Sequence, residues 1–427
     1  MQRVFVLDTH KKPLNPCRPK RARILLRAGK AAVYRRFPFT IILKRVVEPD
    51  PHPLRLKLDP GSKKTGIAMV NDQSGEVVFA AELEHRGQKI KSDLDARRAL
   101  RRSRRNRKTR YRKPRFLNRT RKSGWLSPSV QSRVENILTW VKRLARFAPV
   151  TAISQELVKF NMQQMQNPEI AGVEYQQGTL AGYEVREYLL EKWGHACAYC
   201  GKKDVPLEIE HLMPKSRGGS NRVSNLTLAC RPCNEQKGRQ TAEEFGYPQL
   251  RRQATMPLKD AAVVNTTRWA LFECLKASGL PMEVGSGGLT KFNRTERDLA
   301  KGHWQDAACV GKSTPTVLKT EGVKPLAVKA TGHGSRQMCR VNKFGFPRSA
   351  AKTRQKVIHG FKTGDIARLI QPTGKYTGTH EGRVSVRERG DFDIQTVFQG
   401  KKVKITSSWK HFVNLHKGDG YDYVAAA

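Results

Sequence analysis

This chain is short of negative charge. Its 427 residues hold 37 Asp and Glu against 81 Lys and Arg, a formal net charge of +44 with a pI near 10.4. An excess of this size repels itself unless a polyanion neutralises it, so nucleic acid is the natural partner, bound with an affinity that falls steeply with salt. The chain also lacks an apolar run of bilayer-spanning length and any lipidation signal, which sets a basic membrane protein aside. Its start, MQRVFVLDTHKK, has no signal-peptide layout. Cysteine is scarce. Of the eight, Cys17, Cys274, Cys309 and Cys339 are scattered, as expected in a reducing cytosol without a disulfide framework. There is no clear internal repeat, and the length allows several domains and a sizeable core.

The other four cysteines are paired. Cys197/Cys200 and Cys230/Cys233 bracket the stretch CAYCGKKDVPLEIEHLMPKSRGGSNRVSNLTLACRPCN. Each Cys-x-x-Cys can place two thiolates on one turn, and four thiolates make a closed tetrahedral Zn²⁺ site. A closed site has no open coordination position, so it staples a fold and leaves chemistry to the polar residues between. The 29 residues from 201 to 229 exceed a zinc-ribbon gap. His211 follows the short alternating run Pro206 to Glu210. A histidine ending a strand, with an acid beside it, can deprotonate water while Mg²⁺ stabilises a scissile phosphate. Asn225 lies downstream, and Asn234 follows the last cysteine, where it can hold the metal with the acid. The pattern resembles the HNH (ββα-metal) nuclease motif in its zinc-stapled form. That resemblance implies that His211 is the general base, that Glu210 and Asn234 bind Mg²⁺, and that Asn225 orients the histidine. The plainer alternative is a zinc ribbon that only binds nucleic acid.

Residues 1–53 read as a compact unit: a strand at Val4–Leu7, a short helix at Ala22–Ala28 stopped by Gly29, a strand from Ala32 to Val47, then a proline-rich linker. In residues 54–92, Leu54 to Leu58 alternates as a strand with Asp59 at its end, and Thr65–Val70 and Glu76–Leu83 complete a three-stranded meander. Asp59 can bind Mg²⁺ for phosphodiester cleavage; taken alone it is a turn residue before Pro60-Gly61. Residues 93–122 are the most basic, with Arg97, Arg98, Arg101, Arg102, Arg104, Arg105, Arg107, Arg110, Tyr111 and Arg112 as candidate nucleic-acid contacts. Nothing breaks a helix there up to Lys113, yet Ala99, Leu100 and Tyr111 give it no core face. Phosphates would order it, with Tyr111 and Phe116 stacking on bases; the bland reading is a basic tail.

Residues 123–193 carry a helix opened by Ser127-Pro128 with an apolar stripe (Val130, Val134, Ile137, Leu138, Val141, Leu144, Ala148), a strand at Val150–Ser154 followed by Glu156, and a helix at Gly182–Trp193. Glu156 near Asp59 would form a carboxylate pair for metal binding. Residues 194–246 are the cysteine segment. In residues 247–315, an amphipathic helix at Lys259–Ala277 precedes GHWQDAACV, where His303 and Asp306 at i, i+3 share a helix face. Residues 316–427 run from basic loops into four short strands, the pattern of a small barrel.

The order of these parts resembles a split RuvC nuclease interrupted by an HNH domain. That is the layout of the IscB family, transposon-encoded RNA-guided nucleases similar to compact type II CRISPR effectors. KPLNP resembles the family's PLMP element, with Asn15 where methionine is usual. LKLDPGSKKTGIA resembles the first RuvC motif, SQELVKF the second and HWQDA the third. The implied fold class is α/β multidomain: an RNase H-like (RuvC) core split by a zinc-stapled ββα-metal insertion, an arginine-rich bridge helix and a small β-rich C-terminal barrel. The implied partners are a guide RNA and target double-stranded DNA. His211 would cut the guide-paired strand through one Mg²⁺. Asp59, Glu156, His303 and Asp306 would cut the displaced strand, with the three carboxylates as Mg²⁺ ligands. The barrel would read a short motif beside the target, since base pairing carries the rest of the sequence reading. The family also implies a monomeric protein within a ribonucleoprotein in the prokaryotic cytoplasm, acting at the nucleoid. Two other readings stand beside this one: a protein-only HNH or RuvC-like endonuclease, and a non-enzymatic zinc-containing RNA-binding protein.

Overall fold

A computed structural model of the chain describes residues 2–48, 52–106, 124–157, 181–203, 205–256, 261–332, 339, 341–344, 346–350 and 357–425. Packing separates two units, one of Met1–Ile153, Lys301–Ala308 and Pro315–Ala427, the other of Ser154–Ala300 and Cys309–Thr314.

The first unit opens with β1 (Val4–Leu7), β2 (Pro13–Cys17), α1 (Pro19–Arg27), β3 (Ala31–Arg35) and β4 (Thr40–Leu43), in sheet order β2-β1-β4-β3. The single strand expected over 32–47 is therefore a hairpin, with Ala31 facing Leu43 and Val33 facing Ile41. Pro38 falls at the reversal, where its missing N–H costs no ladder bond. Val4, Val6, Ala22, Ala31, Ile41 and Leu43 form the core of this small sheet.

The larger sheet begins with the meander β5 (Leu54–Pro60), β6 (Lys64–Asn71) and β7 (Val77–Glu84), paired antiparallel throughout. β12 (Leu326–Ala330) lies parallel to β7, and β18 (Tyr421–Ala425) antiparallel to β12. β8 (Val150–Glu156) flanks β5 on the other side. Runs such as Ile67–Val70 and Val77–Ala81 are buried residue after residue. A strand buried on both faces loses its alternation, because layers cover the sheet on each side. α3 (Pro128–Phe147) supplies one layer and buries the expected stripe except Leu138, which is half-buried; Trp140, Phe147 and Arg133 join it. The capping expected of Ser127 is absent as a side-chain bond; its hydroxyl lies 3.4 Å from that of Ser129.

α9 (His303–Ala308) packs on β5, β6 and β7. Gly66 on β6 permits this approach, since a Cβ there would stand 1.7 Å from the His303 carbonyl oxygen. α2 (Gly87–Asn106) starts ten residues before the arginine run. Arg107, Arg110, Tyr111 and Arg112 lie outside the described residues.

The C-terminal strands β13 (Ile366–Gln371), β14 (Gly378–Val386), β15 (Asp391–Phe398), β16 (Lys401–Ser408) and β17 (Phe412–His416) form an antiparallel sheet in the order β16-β15-β14-β13-β17. Its two edge strands are not paired to each other, yet only three residues join them, so the sheet curls toward the small barrel expected from the sequence rather than lying flat. The single turn Trp409–His411 carries the chain from the β16 edge to the far side of β13, so β16 and β17 end up at opposite edges. Phe361, Leu369, Phe392, Ile394 and Phe412 fill its core.

The second unit holds the end of β8, then α4 (Ala181–Lys192), β9 (Leu207–His211), β10 (Leu226–Cys230), α5 (Arg231–Lys237), α6 (Gln249–Thr255), α7 (Ala261–Lys276), β11 (Met282–Gly285) and α8 (Gly287–Thr295). Leu157 donates its backbone N–H to Gly285, joining the end of β8 to β11. No helix among the described residues is long and apolar enough to cross a membrane.

Candidate functional site

β9 and β10 pair antiparallel from His211↔Leu226 to Leu207↔Cys230, and α5 follows without a loop. Pro232 fits that first helical turn because a first-turn N–H has no intrahelical partner to lose. Leu207, Leu226, Leu228 and Ala229 are buried with Tyr199 and Leu212 in one core. The result is a ββα unit with Cys230 and Cys233 at the strand–helix junction.

The four cysteine sulfurs lie within 4.8 Å of one another, the one such cluster of metal-ligating groups among the described residues. Cys200 Sγ is 3.7 Å from Cys230 Sγ. Four sulfurs about 2.3 Å from a zinc ion stand about 3.8 Å apart, so the donor set fits Zn²⁺. Burial raises the Cys197 thiol, but backbone N–H groups of Cys200, Cys230 and Tyr199 outweigh it and bring it down to about 7. Burial, then hydrogen bonding to Cys230 and Cys200, pushes Cys233 the other way. Four thiols in one pocket cannot all ionise without a cation, and a divalent ion removes that conflict.

His211 Nε2 lies 2.9 Å from Asn221 Oδ1. Asn225, expected to orient this ring, instead closes the following loop. Its carbonyl accepts from Met213 N at 2.9 Å, and its amide donates to Met213 O at 3.0 Å and Ser220 O at 2.9 Å. The amide at the imidazole is therefore Asn221, four residues earlier. Gly219 completes the turn, since a Cβ there would stand 1.7 Å from the Met213 carbonyl oxygen.

Glu210 is buried and accepts from Tyr199 Oη at 2.6 Å and Lys237 Nζ at 2.6 Å. Lys237, also buried, donates at 2.9 Å to the backbone carbonyl of His211. Burial, followed by the Glu210 contact, raises the Tyr199 hydroxyl well above its ordinary value. Asn234 does not join Glu210 in this arrangement. Its amide donates to Glu208 at 2.7 Å. Strand alternation puts Glu208 and Glu210 on one face of β9, and Asn234 meets the exposed one. Glu208 with the Asn234 amide offers the hard oxygen donors that suit Mg²⁺; an ion at Glu210 would share that carboxylate with an ammonium. Glu208, Asn221, Tyr199 and Lys237 were not anticipated from the sequence. Only Glu208 left a signal there, its period-two spacing from Glu210.

Asp59 is the partner of Gly66 across β5 and β6. Directly opposed residues share a sheet face, so Asp59 projects toward the face that α9 covers. Asp59 and Asp306 are half-buried and His303 is exposed. The first unit thus brings together the elements carrying Asp59, His303 and Asp306. Glu156 belongs to the second unit, where it is buried and bonded at 2.7 Å to Arg268 of α7. On α2, Arg97, Arg98, Arg101 and Arg102 are exposed, and Leu100 with them at 56%.

Residues 197–249 match the HNH endonuclease family, and residues 4–178 match the RRXRR protein family. No curated protein matches the chain. Among solved structures, Cas9 of Streptococcus thermophilus in complex with the GGAA PAM is similar at 12% identity and a TM-score of 0.24, covering 61% of this chain and 32% of that one. The same protein with the AGAA PAM gives 13% identity and 0.24, covering 60% and 32%. The Type II-C Cas9 of Actinomyces naeslundii gives 17% and 0.16, covering 44% and 29%. This chain therefore spans about a third of the length of these proteins.

Proposed function

We propose that this chain is an RNA-guided DNA endonuclease with the IscB layout, its HNH segment cutting the guide-paired strand and the site around Asp59 cutting the displaced strand. The observation that carries this is the ββα unit, in which His211, Asn221 and the Glu208–Asn234 pair sit on a four-thiolate staple. Asn221 Oδ1 accepts from Nε2–H of His211, so Nδ1 keeps its lone pair to take a proton from the attacking water. Lys237 holds the His211 backbone and Glu210 together, which fixes the base against the end of β9. A bound Mg²⁺ would polarise the scissile phosphate and stabilise the leaving oxygen. Glu208 and Asn234 are the residues to hold it here, while Glu210, bonded to Lys237 and Tyr199, braces the end of the strand; Asp59, Glu156, His303 and Asp306 serve the second site. The exposed arginines of α2 and the net charge of +44 supply the surface for a guide RNA and its heteroduplex.

The test is strand-resolved cleavage of matched duplex DNA by the purified ribonucleoprotein with Mg²⁺. His211→Ala should leave only displaced-strand nicking, and Asp59→Ala only guide-strand nicking. Double-strand breaks from either variant would sink the assignment. Sequence-selective cutting by RNA-free protein would favour a protein-only nuclease instead.

A further inference from the structure

Glu156 ends β8 with its side chain buried, the residue 7% exposed. Arg268 of α7, itself 8% exposed, donates from Nη2 to Glu156 Oε1 at 2.7 Å across 112 residues of chain. The neighbouring Gln155 is fully buried and donates its side-chain amide to the Arg268 backbone carbonyl at 2.8 Å. Two consecutive side chains of β8 thus grip one residue of α7 at both ends, carbonyl and guanidinium. Burying two charges is costly unless they meet in good geometry with their remaining groups bonded. Here the clasp by Gln155 fixes where the guanidinium starts, and the charge-assisted bond fixes where the carboxylate ends.

We propose that Arg268 is the positioning residue for Glu156. It compensates the buried carboxylate before any divalent ion arrives and engages Oε1, so that Oε2 is the atom offered to the ion. The inference rests on the assignment of Glu156 to the displaced-strand site.

The experiment uses full-length protein with its guide RNA and strand-labelled target, comparing Arg268→Met, Arg268→Lys and Glu156→Gln. Arg268→Met should lose roughly tenfold to a hundredfold of displaced-strand cutting, the scale of a misplaced catalytic group, with guide-strand cutting unchanged. Arg268→Lys should recover part of it, since it restores the charge without the planar fork. A second readout needs no cleavage. In magnesium-free buffer Arg268→Met should lower the melting temperature, and adding Glu156→Gln should raise it again by removing the unpaired carboxylate. Wild-type displaced-strand cutting by Arg268→Met would overturn the proposal. So would additive melting effects, or equal loss of both strand cuts, which marks a structural role alone. Normal displaced-strand cutting by Glu156→Gln would instead overturn the site assignment itself, and this proposal with it.

Discussion

Gly66→Ala adds one methyl group at a position where backbone passes backbone. Its Cβ would lie 1.7 Å from the His303 carbonyl oxygen and 3.1 Å from the Ala307 side chain. Ordinary contact needs about 3.4 Å, so α9 must retreat by more than about 1.5 Å or the β6 backbone must bend. Overpacking of this kind costs about 1–3 kcal/mol, which a unit of this size tolerates. The catalytic cost should be larger. His303 and Asp306 ride on α9 while Asp59 stays on β5, and a displacement of about 1 Å is worth about a hundredfold. The assay is strand-resolved nicking of a labelled target by the ribonucleoprotein. If the proposed function holds, displaced-strand cutting should fall about a hundredfold while guide-strand cutting, which that proposal gives to the HNH unit, keeps its rate. Displaced-strand cutting within about threefold of the parent would refute the reasoning, because Asp59 and α9 would then not be working as a unit.

Lys237→Met removes the ammonium from a buried pair and should destabilise the HNH unit by about 3–5 kcal/mol in denaturant melts, with Glu210→Gln in the same chain restoring part. Purely additive effects of the two changes would count against the pair. A zinc-selective chelator in excess Mg²⁺ should abolish guide-strand nicking and spare displaced-strand nicking, and added Zn²⁺ but not further Mg²⁺ should restore it. Retained guide-strand nicking without zinc would refute the staple. Burial, aided by the nearby charge of Arg133, holds His85 down to about 3. The unfolded chain then binds a proton below its ordinary pKa near 6.5 that the native chain refuses. Stability is fully present above about pH 6.5 and declines as pH falls from there toward 3, by about 1.4 kcal/mol at pH 5.5. His85→Gln should flatten the fall in melting temperature between pH 7 and 5.5, and an unchanged slope would show that another group is responsible.

Several parts of this protein were legible before any coordinates because they depend on short spacing or on bulk charge. The two Cys-x-x-Cys pairs converge as their spacing required, with sulfurs inside 4.8 Å. Alternation in Leu54–Leu58 and the stripe on α3 marked their elements, although Lys57 is buried like its neighbours because the sheet is covered on both faces. The excess of 81 basic over 37 acidic residues needed no fold to imply a polyanion. Tertiary structure alone decided which polar groups meet. Asn221 rather than Asn225 reached the His211 ring, Asn234 found Glu208 rather than Glu210, and Arg268 took Glu156 from 112 residues away. It also split one expected strand into a hairpin and made Gly66 necessary by laying α9 across it. Such pairings arise where packed elements bring side chains from distant segments into hydrogen-bond range, and a contact of that kind leaves no period in the chain to read.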